Sequence, residues 1–202
     1  MTSPYRPVPA RAPGPADLDA MVAALTTAFF DDPLWGPAFP DQERRAEQAA
    51  AMWRLYANSA LRYPWTRVTP GAEAVAVWIP PGGTELTAGE AEGLRDFLTD
   101  LAGPRVADGI VRIGDQLEQA RPADPHFYLT LLGTHAAHRG KGLGMGLVAE
   151  GLARIDELGA AAYLESSNPA NNTRYERAGF TAHGRVTTAT GHVVTTMWRP
   201  AR

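Results

Sequence analysis

Cysteine is absent from the 202 residues. That excludes a disulfide framework, a thiolate metal site and a cysteine nucleophile. Lysine is nearly absent: of 19 basic residues, Lys141 is the one lysine and the rest are arginine. A strong charge of one sign is lacking too. Nineteen basic against 22 acidic residues leave −3 at pH 7, which argues against a non-specific nucleic-acid binder but leaves room for a local anion pocket. No apolar run approaches the roughly 18 residues of a membrane span. The opening Met-Thr-Ser-Pro-Tyr-Arg carries no apolar secretory core. The expectation is a cytoplasmic protein without a nucleic-acid or membrane partner. What is present is ordinary for a globular chain: 45% hydrophobic residues, enough to build a core without staples. Glycine and proline, at 20 and 17 residues, fall short of the share of about 25–30% that marks disorder.

No internal repeat occurs at a period of about 20–50 residues. Prolines crowd the first 15 residues, where Tyr5 and Val8 suit either a frayed tail or a short edge strand. Leu18, Met21, Val22, Leu25 and Phe29 then fall at helix spacing behind Asp17 as N-cap, and Asp31-Asp32-Pro33 stops that helix. A second helix fits about 41–61, with Ala49, Met52, Trp53 and Tyr56 on one stripe. Short strands are expected over 65–68 and 74–79, and helices over about 87–101 and 104–119, split by Gly103-Pro104. The remainder reads as a strand over 127–132, a helix over about 142–158, a strand over 161–165, a helix over 168–178 and a closing hairpin. The pattern predicts a mixed α/β domain spanning 1–202, with a parallel strand pair in its second half.

His138-Arg139-Gly140-Lys141-Gly142-Leu143-Gly144 follows a strand and opens a helix. Backbone N–H groups at a helix start converge on one spot, and the helix dipole adds positive potential there. Glycines let a phosphate approach the backbone with no Cβ in the way, and Arg139 and Lys141 add charge. A Walker loop would need glycine at 135 and a hydroxyl residue at 143, where His and Leu stand. The dinucleotide spacing fails as well, because glycines 140, 142, 144 and 146 strictly alternate. What remains is R-x-x-G-x-G over Arg139, Gly142 and Gly144, either an anion loop or a tight turn without ligand.

In this loop the chain resembles the GNAT superfamily of N-acetyltransferases. Leu129 to Gly144 is similar to the family's acetyl-CoA pyrophosphate loop. Tyr163-Leu-Glu-Ser-Ser-Asn is similar to its fifth strand. Asn171-Asn-Thr-Arg-Tyr-Glu-Arg-Ala-Gly-Phe is similar to the segment with a tyrosine four residues before Gly-Phe. The order and spacing run over about 127–180. Thr134 and Ala136 depart from the pattern, where the family often has Val or Ile and Pro. The whole chain, including Ala74-Val-Ala-Val-Trp78, looks similar to the puromycin N-acetyltransferase branch.

The resemblance implies a splayed central sheet flanked by helices, with an acceptor half over about 1–125 and an acetyl-CoA half over about 126–202. It implies acetyl-CoA as co-substrate, no metal, and direct attack by an amine with both substrates bound. Leu132, Gly133 and Thr134 would offer the strand edge to the pantetheine amides, which are costly to bury unpaired. Arg139, Gly140, Lys141, Gly142, Leu143 and Gly144 would hold the pyrophosphate, and Asn171 the cofactor arm. Tyr175 stands where the family places the acid for the departing sulfur; its bland alternative is a core aromatic. Glu165 is the first choice of base, or else a structural carboxylate. Tyr128 and Thr130, on one strand face, could hold a relaying water, and His126 is a further base candidate. His135 and His138 lack a third clustered ligand, which argues against zinc. Asp32, Trp35 and Trp78 are candidates for the acceptor walls, with helix capping and core packing as the alternatives. The expected reaction is acetylation of a primary amine of a small molecule. A protein amino group as acceptor, or a non-catalytic acyl-CoA-binding module, are the competing readings, and a homodimer is a candidate assembly.

Overall fold

The computed structural model describes residues 4–202. One six-stranded sheet forms the centre, in the order β1-β2-β3-β4-β6-β5. In chain order the elements are α1 (Leu18–Phe29), α2 (Trp35–Ala38), α3 (Arg45–Ala60), β1 (Arg67–Val68), β2 (Ala74–Ile79), α4 (Ala88–Ala102), α5 (Pro104–Ala120), β3 (His126–Thr134), α6 (Leu143–Glu157), β4 (Ala161–Ser166), α7 (Asn172–Arg177), β5 (Thr181–Thr187) and β6 (Val193–Arg199). β3 and β4 are the parallel pair, joined through α6, and the other pairings are antiparallel. The mixed α/β reading therefore holds.

The sheet is covered on both faces. Met21, Ala24 and Leu25 of α1 share one core with Met52 and Trp53 of α3, Val75 and Val77 of β2 and Leu131 of β3. Ala74, Ala76 and Trp78 turn to the other face with Phe127, Leu129 and the α6 stripe of Leu147, Val148, Leu152 and Ile155. This is the period-2 alternation of a strand buried on both sides.

The structure refines three of these readings. No strand forms around Tyr5 and Val8. Arg11 alone bridges to Val68 of β1, with both N–H···O contacts at 2.9 Å. The prolines before it have no N–H to give a ladder, and Val8 instead packs where Gly146 of α6 has no side chain. Asp17 takes the N-cap position of α1 as expected, but its carboxylate accepts from the Gly14 N–H at 2.8 Å and from Arg11 rather than from the helix. α3 starts later than expected because Asp41 first accepts from the N–H groups of Glu43 and Arg44, closing a separate turn.

Candidate active site

The site begins where the parallel pair separates. β3 and β4 stay in register from His126↔Ala161 to Leu129↔Leu164 and then part. The register of β2 against β3 explains the parting. Val77 faces Leu131 and Trp78 faces Leu129, so Thr130 is an extra residue with no partner on β2. Such a bulge bends its strand and increases the local twist. β4 meanwhile remains paired with β6 as far as Ser166↔Thr195. The result is a cleft of about 670 Å³, lined by Leu129, Thr130, Leu132 and Thr134 on one side and Leu164 to Asn168 on the other. Its far end is the start of α6.

Gly140 and Gly142 have φ of 81° and 74°, the left-handed region that favours glycine. No side chain caps α6, so its first N–H groups are left for an external acceptor. At Gly144 a Cβ would come within 3.0 Å of the Thr134 hydroxyl. Arg139 is anchored: its guanidinium donates to the carbonyls of Thr27 and Ala28 at the end of α1. The Ala136 N–H also donates to the Thr27 hydroxyl, at 3.1 Å. The loop is thus held against α1 while Arg139, Gly140, Gly142, Leu143, Gly144 and Asn171 line the cleft, as do Leu132 and Thr134. An open strand edge beside an uncapped helix start fits the amides and pyrophosphate of acetyl-CoA. Two members of the expected set lie elsewhere. Gly133 faces α1, where a Cβ would come 3.0 Å from Leu25 and 3.3 Å from Ala28. Lys141 is exposed, with its ammonium 3.3 Å from His138 Nδ1.

Glu165 follows Leu164, the last residue of β4 paired with β3. Its side chain is 5% exposed and accepts from the Tyr128 hydroxyl at 2.6 Å and the Tyr163 hydroxyl at 3.1 Å. Burial pushes its pKa up from 4.5 to about 7, and the two hydroxyls and Arg121 hold it from rising further. Burial also raises the pKa of both tyrosines, so they stay protonated as donors. Tyr175, on α7, lines the cleft and stands edge-on to Phe180 at 6.3 Å. Burial, with Asp32 adding to it, pushes its phenol up to about 12.

A smaller cavity of about 70 Å³ adjoins this one, walled by Trp35, Trp53, Tyr56, Tyr128 and Leu131. Trp35, Thr130, Glu165 and Ser167 line both spaces. Glu165 therefore stands at their junction. Asp32 lines the large cleft, yet its carboxylate accepts from the N–H groups of Leu34 and Trp35 at 3.0 and 3.1 Å and from the Ser167 hydroxyl at 2.8 Å. These bonds close the turn that leads into α2 and hold Trp35 in place. Trp78 is fully buried under Gly151 of α6 and lines neither space. It fills the core and is removed from the acceptor wall. His126 lines neither space either; its Nδ1 sits 2.6 Å from the Asp124 carbonyl. Among the described residues no three His, Asp or Glu side chains group as a metal site.

Glu85 and Arg121 were missed by sequence reasoning. Arg121 pairs with Glu85 at 3.3 Å and with Glu165 at 4.0 Å, and its guanidinium lies 4.0 Å from the Tyr128 ring centre. The Thr130 hydroxyl donates to the other Glu85 oxygen. Neither residue lies in a motif. One sits in a loop after β2 and the other just beyond α5, and only the fold brings them to Glu165.

The fold is shared with known structures. A structure described as histone acetyltransferase HPA2 and related acetyltransferase, from Corynebacterium glutamicum, superposes with a TM-score of 0.70 at 22% identity, covering 100% of this chain and 98% of that one. Polyamine N-acetyltransferase from Drosophila melanogaster gives 0.61 at 16%, covering 95% and 98%. Arylalkylamine N-acetyltransferase 2 from Aedes aegypti gives 0.60 at 13%, covering 96% and 98%. Residues 106–199 match the family model of the acetyltransferase (GNAT) domain. That segment, a little under half of the chain, contains the glycine loop, Glu165 and Tyr175, and it is here that the sequence matches the GNAT acetyltransferase domain.

Proposed function

We propose that the protein moves an acetyl group from acetyl-CoA to a primary amine of a small molecule, by direct attack with both substrates bound. The observation that carries this is the place of Glu165. It is a buried carboxyl of near-neutral pKa at the junction of an anion-binding cleft and an aromatic cavity. The amine-acetylating neighbours named above share this fold, which supports an amine as acceptor.

The backbone edge of β3 and the start of α6 would hold the pantetheine and pyrophosphate. The amine enters the aromatic cavity as an ammonium, and the Glu165 carboxylate accepts a proton from it. A base is most effective when its pKa lies near the working pH. The freed nitrogen attacks the thioester carbon. As the C–N bond forms and the C–S bond breaks, Tyr175 gives its proton to the departing sulfur. Its high pKa keeps it protonated until the thiolate develops. The ammonium gives up two protons in all: one balances the proton placed on the thiol, the other goes to solvent. The chain has no cysteine to carry the acetyl group, which agrees with direct transfer.

The test is a panel of primary amines with acetyl-CoA, following free thiol. A thiol reagent reads only released CoA, because the protein has no thiol of its own. Amine-dependent release, with an acetylated amine in the product, is the expected result. No release with any amine, together with thermal stabilisation by NAD but not by acetyl-CoA, would overturn the reading.

A further inference from the structure

The smaller cavity holds three charged side chains and four aromatic rings. Two of the charges cancel. Arg121 donates to Glu85 at 3.3 Å, and Thr130 holds the other oxygen of that carboxylate. Arg121 also lies 4.0 Å from Glu165, so two carboxylates and one guanidinium leave a single net negative charge to balance an incoming cation. A ring face can also hold a cation, but the Tyr128 face is covered by Arg121 at 4.0 Å. Trp53 is enclosed by Phe29, Trp35 and Tyr56 at 4.8, 5.4 and 6.4 Å. The remaining walls are apolar apart from the Thr130 and Ser167 hydroxyls, which donate to Glu85 and Asp32.

We infer, resting on the acetyltransferase reading above, that the cavity selects amines with a single positive charge and an apolar or aromatic body, and that Arg121 is the residue that turns away a second ammonium. One ammonium meets one carboxylate. The second ammonium of a diamine would be buried beside a guanidinium without a counter-charge, which is expensive in a poorly solvated space. The chemistry of Glu165 is the same for both substrates, so the discrimination appears in kcat/KM.

The experiment compares 2-phenylethylamine with 1,5-diaminopentane, each with acetyl-CoA. The native protein should favour the arylamine by about tenfold or more, the equivalent of about 1.4 kcal/mol. Arg121→Met leaves Glu85 free to receive the second ammonium and should move the ratio about tenfold towards the diamine. Arg121→Lys should restore the native ratio. Glu85→Gln leaves Arg121 with Glu165 as its carboxylate partner and no counter-charge for a second ammonium, and should widen the preference, so the proposal survives a misfolded Arg121→Met. A native enzyme that turns over the diamine as well as the arylamine would overturn it. So would a ratio that Arg121→Met and Glu85→Gln, both folded by circular dichroism, leave unmoved. Quenching of tryptophan fluorescence reads amine binding at Trp35 and Trp53 without turnover. Quenching by the arylamine and not by the diamine, without thiol release, supports the charge selection and fails the acetyltransferase reading. Quenching by neither amine, with no turnover, fails both.

Discussion

The pH profile of turnover should show an acid limb where an ordinary glutamate shows none. Glu165 is moved from 4.5 to about 7 by burial. At pH 6 about a tenth of a carboxyl with that pKa is ionised, against about 97% of an unperturbed one. If Glu165 must be a carboxylate to take the proton, kcat/KM should fall about tenfold from pH 8 to pH 6. Profiles with two amines whose own pKa values differ by about two units separate the causes: a limb belonging to Glu165 stays in place. Glu165→Gln should lose the limb and about 10²–10⁴ in rate, a barrier change of about 2.7–5.5 kcal/mol. Stability gives an independent reading. The folded pKa lies above the unfolded one, so the stability due to Glu165 is full below about 4.5 and is lost as pH rises through about 7. Native protein should therefore lose on the order of 3 kcal/mol relative to Glu165→Gln between acid and mildly alkaline pH, measured by denaturant melts. A limb near pH 4–5, or one that persists in Glu165→Gln, would refute the assignment.

Tyr175→Phe keeps the ring against Phe180 and deletes the hydroxyl. It should lower kcat by about 10²–10⁴ with little change in the KM for acetyl-CoA, since its bond is made mainly in the transition state; unchanged kcat with chemistry rate-limiting removes it from the mechanism. Gly142→Val places a side chain at φ 74°, so calorimetry should show sharply weaker acetyl-CoA binding, and thermal melts a loss of about 1–3 kcal/mol from strain. Trp78→Ala should cost about 3–5 kcal/mol in stability and leave the amine KM alone, whereas Trp35→Ala should raise that KM; an amine KM that responds to Trp78 would return it to the acceptor wall.

Regular elements were legible where one periodicity ran unbroken. β2 was bounded correctly because 74–79 is apolar on both faces. α5 began as expected because Gly103, at φ 87°, and Pro104 mark the break. The glycine loop and its helix were legible because the backbone there demands glycine. The cleft itself was not. It depends on the bulge at Thr130, and nothing in Leu129-Thr130-Leu131 marks one residue as unpaired. The contacts of Asp32 were hidden for a related reason: an aspartate before proline suits a turn and a ligand site equally, and its bonds to Leu34, Trp35 and Ser167 arise only in the fold. The charge balance around Glu165 was hidden because Glu85, Arg121 and Glu165 are far apart in the chain.

Two-substrate kinetics tests direct transfer most closely. Initial rates are measured by free thiol at several fixed amine concentrations while acetyl-CoA is varied, with mass spectrometry of the protein after acetyl-CoA alone. Attack within a ternary complex gives intersecting reciprocal lines and protein of unchanged mass. Parallel lines, with a stable acetyl group on a side chain of the protein that the amine then removes, would contradict the account.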